Sequence, residues 1–248
     1  TKQWCPTAGC ELVSSRNFPD EAQGNYLLNN CIGFQGVLQY KMREDASGFA
    51  ADPVDPLLKS TDINFRPVDI EFGPDGALYV CDWFNPLVGH MQHNLRDPNR
   101  DHKHGRIWRI AYTKKPLVKA PKSAGEPIPA LLALLKNEPE ERTRYRVRTE
   151  LWNRPTTDVV TELKSWTAGL DAKDANYEHH LLEALWLHQA HDVVDEAFLA
   201  KMLKSPEPKA RAAATRVLCY WRDRVKEPLA LLQQQVNDEH PRVRLEAV

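Results

Sequence analysis

Two stretches of this chain repeat one scheme at a fixed distance, and that repeat limits the folds open to its C-terminal half. Leu131–Leu151 (LLALLKNEPEERTRYRVRTEL) and Phe198–Leu218 (FLAKMLKSPEPKARAAATRVL) each begin with an apolar run of helical period. A Pro-Glu turn follows, at Pro139-Glu140 or Pro206-Glu207, and then a basic residue opens a second helical run. The copies lie 67 residues apart, two periods of about 33 or 34, a size typical of helix-pair repeats. His180–Leu187 (HLLEALWL) falls where an intervening copy belongs, and Leu231–Val248 repeats the scheme with Arg244 answering Arg211. Such pairs bury their apolar faces only by stacking on neighbours, so the expected architecture is an α-solenoid.

The N-terminal half has a different period. Val68, Ile70 and Phe72 alternate with Asp69 and Glu71, as in a half-buried strand. Gly73-Pro74-Asp75-Gly76 supplies a turn in which proline presets φ and glycine accepts φ > 0. Ala77–Cys81 reads as the return strand. Further strands are expected at Asn25–Ile32, Gly36–Arg43 and Arg106–Tyr112. Short strands at this spacing suggest a propeller or a sandwich, and about a hundred residues hold fewer than two full blades. Lys114–Pro129 (KKPLVKAPKSAGEPIP) is rich in proline and lysine and reads as a boundary. The expected organisation is β plus α in two domains. Residues 1–113 form the last blades of a partial β-propeller, 114–126 a linker, and 127–248 a truncated α-solenoid of HEAT-like repeats. The Pro241-Arg242-Val243-Arg244 run, with Ala247 three residues on, resembles the second-helix opening of HEAT repeats.

Composition removes some function classes. The 33 basic residues nearly balance the 34 acidic ones, which argues against a generally basic nucleic-acid binder. No apolar run approaches the length of a membrane span. The chain starts on Thr1 and stops within an amphipathic pattern, so it reads as an internal piece of a longer protein. Cys5 and Cys10 could close a short disulfide, while Cys31 and Cys81 read as small buried residues.

The long connection after Asp82 is where chemistry is most concentrated, because loops of that length inside compact domains are often functional. It carries His90, His93, Arg96, Asp97, Arg100, Asp101, His102 and His104. Imidazoles and carboxylates are ordinary metal ligands, yet the interleaved arginines disfavour a cation and the spacing matches no metal signature. The alternatives are a hydrogen-bonded polar network, a surface for an anion or a sugar, or a metal site; no metal is assigned. His179, His180, His188 and His191 lie on helices and read as packing or surface residues, and Trp166, Trp186 and Trp221 as core. There is no Gly-rich phosphate loop, nucleophile elbow or His-Glu-x-x-His helix.

Asn17–Tyr40, Phe65–Ile110, His188–Asp195 and Trp221–Val225 together resemble a family of large exported planctomycete and verrucomicrobial proteins. That family is described as membrane-bound dehydrogenases, with a sorbosone- or glucose-dehydrogenase-like β-propeller joined to HEAT repeats and usually to a c-type cytochrome domain. The resemblance implies a periplasmic or cell-envelope protein that oxidises a sugar or polyol and passes electrons to a c-type haem outside this chain. It also implies that the piece alone is inactive. A more distant likeness to soluble quinoprotein sugar dehydrogenases implies pyrroloquinoline quinone as cofactor and aligns Arg66 with one quinone-facing arginine of that family. Val68 stands at the second basic position and Phe34 or Gln35 at the third, and no cofactor is assigned to this chain itself. The rival readings are a non-catalytic glycan- or protein-binding module, with a protein partner on the solenoid, and a structural envelope component.

Overall fold

The computed structural model describes residues 7–87 and 97–248. They divide into two compact units. The first comprises the described part of residues 1–43 with Ala50–Ala120 and Pro139–Arg142. The second comprises Glu44–Phe49, Pro121–Glu138 and Thr143–Val248.

The first unit is built on two open sheets. Strands β1 (Thr7–Leu12), β2 (Tyr26–Asn30), β3 (Gly36–Asp45) and β4 (Gly48–Lys59) form one sheet in that order. Strands β5 (Pro67–Phe72), β6 (Leu78–Asp82) and β7 (Arg106–Ile110) form the other, antiparallel throughout. The alternation in β5 sets its register: Ile70 lies opposite Val80 and Phe72 opposite Leu78. These four side chains join Val13, Phe18, Leu27, Val37 and Phe65 in a core drawn from both sheets. Gly9 of β1 lets the sheets approach, since a Cβ there would lie 2.7 Å from the Asp69 Cα.

Two strands are additions to the sequence reading. β4 contains Pro53 and Pro56, which ordinarily argue against a strand. It occupies the end of its sheet, where a missing N–H costs no ladder bond on the open side. β1 is short and bulged between Thr7 and Cys10, so it shows no clean alternation. β7 also stops at Ile110, because the Tyr112 amide donates to Asn17 Oδ1 (2.9 Å) instead of continuing the ladder. Asn17 is fully buried, and its Nδ2 donates to the carbonyls of Tyr112, Lys115 and Pro116. The Pro-Asp-Gly turn is held in turn by Ser15, whose Oγ donates to the Gly76 carbonyl (2.7 Å). Gly76 has φ +78°, which glycine adopts without a Cβ penalty.

The second unit is a run of helix pairs: α1 (Ile128–Asn137) with α2 (Glu141–Trp152), and α3 (Thr156–Ala168) with α4 (Tyr177–Ala190). α5 (Glu196–Met202) with α6 (Pro208–Trp221) and α7 (Pro228–Gln235) with α8 (Pro241–Glu246) follow. Proline sits in the first turn of α1, α6, α7 and α8, where its missing N–H has no intrahelical partner to lose. Asp195 caps α5 by accepting from the Phe198 amide (2.9 Å).

The basic residue of the repeat has a definite task. Arg144, Arg211 and Arg244 each donate to a carbonyl six residues earlier: Glu138, Ser205 and Asp238 respectively. Each guanidinium thus pins the turn that precedes its own helix. Arg211 also makes a two-pronged pair with Asp238 (2.8 and 3.0 Å), tying one repeat to the next. The intervening copy carries Glu178 at this register, and its carboxylate bonds to Ser205 Oγ of the following repeat.

Apolar packing completes the unit. Leu181, Leu185, Leu199, Met202, Leu218 and Trp221 form one cluster; Leu131, Leu135, Val147, Leu151 and Leu163 are part of another. Trp221 is core, whereas Trp166 and Trp186 are only half-buried. His180 and His188 are buried, His191 bonds to the Leu151 carbonyl (3.1 Å), and His179 is exposed beside Glu183. Among the described residues no helix is long and apolar enough to cross a membrane.

Candidate functional site

The first unit holds a closed polar knot where β5, β6 and β7 end. Asp82 lies at the C-terminal end of β6, on the inward face with Leu78 and Val80, and its side chain is fully buried. Four donors satisfy it. Oδ1 accepts from the Arg66 and Phe84 amides (2.8 and 2.9 Å), while Oδ2 accepts from Arg106 Nε (2.7 Å) and Trp108 Nε1 (3.0 Å). Arg106 reaches on to Asp62 (3.0 Å), and its guanidinium lies 4.0 Å from the Phe84 ring centroid. Phe84 takes this place with φ +54°, a left-handed conformation that is strained for a bulky side chain.

Charge in the knot is stabilised from several directions. The Asn64 amide, and then Arg106, hold the Asp62 carboxyl below the usual carboxylate range against the effect of burial. Burial works against the charge on Arg106, but its bonds to Asp62 and Asp82 outweigh it and raise its pKa. Burial lowers the pKa of Arg66.

Arg66 is a strut between loops. Its Nε, Nη1 and Nη2 donate to the carbonyls of Asn85 (2.9 Å), Cys31 (2.7 Å) and Pro86 (3.0 Å). With Val68 and Phe34 or Gln35 at the other two aligned positions, and Arg66 spent on three carbonyls, these positions do not fit a quinone.

His90, His93 and Arg96 lie outside the described residues. Of the remaining loop, Asp97 accepts from the Asn99 amide through Oδ1 and from the Arg100 amide through its carbonyl. Arg100 is buried and donates to the Leu87 carbonyl (3.3 Å). Asp101 Oδ1 accepts from the Lys103 and His104 amides, and its Oδ2 lies 2.8 Å from His104 Nδ1. These bonds, that from Lys103 foremost, hold the Asp101 carboxyl below its ordinary range. His102 and His104 are exposed. Among its described residues the loop therefore turns one oriented imidazole, His104, towards solvent. Among the described residues no group of three His, Cys, Asp or Glu side chains could hold a metal ion. Cys10 bonds to no described cysteine, and Cys5 lies outside the described residues.

A second candidate surface lies on the helical unit. Tyr145 and Trp152 of α2 are 56% and 63% exposed, and Tyr220 of α6 is 70% exposed. Half-buried Trp186 of α4 lies between them in sequence, so three successive second helices each carry an aromatic side chain that is exposed or partly exposed. Tyr145, Trp152 and Trp186 wall a slot of about 210 Å³, closed by Leu187 and Ala190. Trp186 also borders a neighbouring cavity of about 400 Å³ floored by Ala212, Ala213 and Val217. Beneath the slot, Arg148 makes a two-pronged pair with fully buried Glu183 (2.8 and 2.5 Å). Burial would raise the Glu183 pKa, but Arg148 and then His179 hold it below the ordinary range.

Comparison with known proteins divides along the same chain. Residues 1–114 match a domain of unknown function (DUF7133). Residues 196–248 match HEAT repeats. No curated protein and no solved structure matches the chain. The matched stretch covers α5 to α8, with Arg211, Arg244 and Tyr220.

The two surfaces differ in how far the residues announce them. Asp82 had a signal, a carboxylate at an inward strand position in step with Leu78 and Val80. The aromatic face had none, because Trp186 sits at an apolar helical position that a core tryptophan would occupy equally well.

Proposed function

We propose that the chain is a non-catalytic interaction module whose solenoid takes a protein partner on its second-helix face. The observation that carries this reading is the exposed aromatic side chains of α2 and α6, with half-buried Trp186 of α4 walling the slot between α2 and α4. Large aromatic side chains and arginine are what protein interfaces concentrate, and clustered exposed apolar surface marks interaction sites. The first unit supports a structural role: its most elaborate polar constellation, around Asp82, spends its donors and acceptors internally. Its two open sheets meet where Gly9 lies against Asp69, an arrangement consistent with neighbouring propeller blades. The test is selection of a displayed random-peptide library on the purified chain. Enrichment of sequences that bind the chain in solution is expected; no enrichment over bare support would remove the reading.

One observation favours a second reading, a sugar or polyol dehydrogenase of the cell envelope whose c-type haem lies outside this chain. Oxidising a hydroxyl requires a base within reach of its proton. The Asp101–His104 pair is an imidazole oriented by a carboxylate, with its second nitrogen directed away from that partner. In a longer protein that turns over a polyol, His104→Ala should lower kcat by about a hundredfold or more, the usual contribution of a positioned base. An unchanged kcat would exclude His104 as that base.

A further inference from the structure

Resting on the binding-module reading, we infer that the Trp152–Trp186 slot receives a single large apolar side chain from an extended, acidic segment of the partner. The slot lies between α2 and α4, and its walls and floor are apolar except for Thr149, the Tyr145 hydroxyl and Arg148. Its one cation carries no net charge into the slot, because the Arg148 guanidinium is matched by the buried Glu183 carboxylate. An anion gains nothing there, whereas an apolar group displaces water from both indoles. The volume, about 210 Å³, suits one side chain and not a folded surface.

The extended form of the ligand follows from the next cavity. Trp186 is common to the slot and to the larger cavity beside it, so one chain can cross from α4 to α6 without leaving the groove. The balance of charge changes on that crossing. Lys209, Arg216 and Arg242 line the larger cavity against Glu44 and Glu246. Lys209 pairs with Glu44 and Arg216 with Glu246, both at 2.7 Å. Arg242 instead donates to the Ser47 carbonyl (2.8 Å) and lies over the Phe49 ring (4.8 Å). The lining holds three such cations against two carboxylates, with Glu44 also within electrostatic reach of Arg242, and a carboxylate a few residues from the anchor would balance the third. The recognition mode is an apolar anchor followed by an acidic residue, selected by two cavities that differ in charge.

Peptides enriched by the library selection should carry Leu, Met, Phe or Trp together with Asp or Glu. A fluorescein-labelled member should lose about tenfold or more in affinity, by anisotropy, when its anchor is replaced by Ala. Trp152→Ala in the full chain should cost as much while leaving the melting temperature unchanged, since Trp152 is 63% exposed. Arg242→Glu should weaken the acidic peptide but not its Asn/Gln counterpart. Enriched peptides that bind Trp152→Ala and the parent chain equally would overturn the slot and leave the binding reading standing. An empty selection would overturn both, and so would Trp152-dependent binding of an oligosaccharide array with no peptide bound.

Discussion

Asp82 shows how much one residue can organise when it is buried with all its partners supplied. Its carboxylate gathers two backbone amides, a guanidinium and an indole, and so fixes the ends of three strands. Removing the carboxylate leaves those donors without an acceptor, and breaking a buried pair from one side costs about 3–5 kcal/mol. Asp82→Ala should lower unfolding stability by roughly that amount in urea titration; a loss below about 1 kcal/mol would show that water replaces the carboxylate. Asn29 is the opposite case. Its side chain is fully buried opposite Val37, and among the described residues neither amide atom has a hydrogen-bond partner. Leaving such groups unpaired costs about 1–3 kcal/mol, and an apolar replacement of similar shape is neutral or stabilising. Asn29→Leu should therefore raise the melting temperature or leave it unchanged. A clear drop would mean that the amide holds an internal water. Gly9→Ala should act by sterics alone, because the new methyl meets the Asp69 and Val68 backbone; overpacking of this kind costs about 1–3 kcal/mol, readable in the same titration.

At the scale of elements, the helices explain why one half of the chain was more legible than the other. Proline turns and a basic residue recur at fixed offsets because each repeat pins its turn the same way, through Arg144, Arg211 and Arg244. The intervening repeat hides because it substitutes Glu178 and reaches forward to Ser205 instead. β4 hides for another reason: it carries two prolines yet pairs at the end of a sheet, a place that no local pattern reveals. Which helical aromatics face solvent was equally hidden, since period gives a face but not what covers it. The Arg148–Glu183 pair between α2 and α4 gives the clearest prediction at this scale. With the Glu183 pKa depressed, its stabilisation is fully present above the unfolded carboxylate value of about 4.3 and is lost as pH falls through the lower folded value. Arg148→Gln leaves a buried carboxylate with only His179 beside it, so stability at neutral pH should fall by about 3 kcal/mol. The Glu183 pKa should then rise, and the variant, unlike the parent, should gain stability as pH drops from 7 towards 5. Parallel stability–pH curves for the two proteins would refute the pairing.

For the whole molecule, catalysis and binding make different demands on the same chain. A dehydrogenase must surround its substrate, exclude water and hold an electron acceptor close to the bond being oxidised. The β unit presents two open sheets of four and three strands, and the polar side chains of the Asp82 knot and Arg66 spend their bonds on the protein's own groups. The oriented imidazole of His104 stands in solvent, where a hydroxylated substrate would meet it on one side only. Binding demands less: an exposed, preorganised face, which the helical unit supplies on stacked repeats stiffened by arginine clamps. The 248-residue chain should accordingly show no oxidation of sugars or polyols with an artificial acceptor dye, at any pH between 5 and 9. Turnover that exceeds a heat-denatured control and disappears in His104→Ala would place a working active site within these residues. It would move the solenoid from the centre of the function to its support.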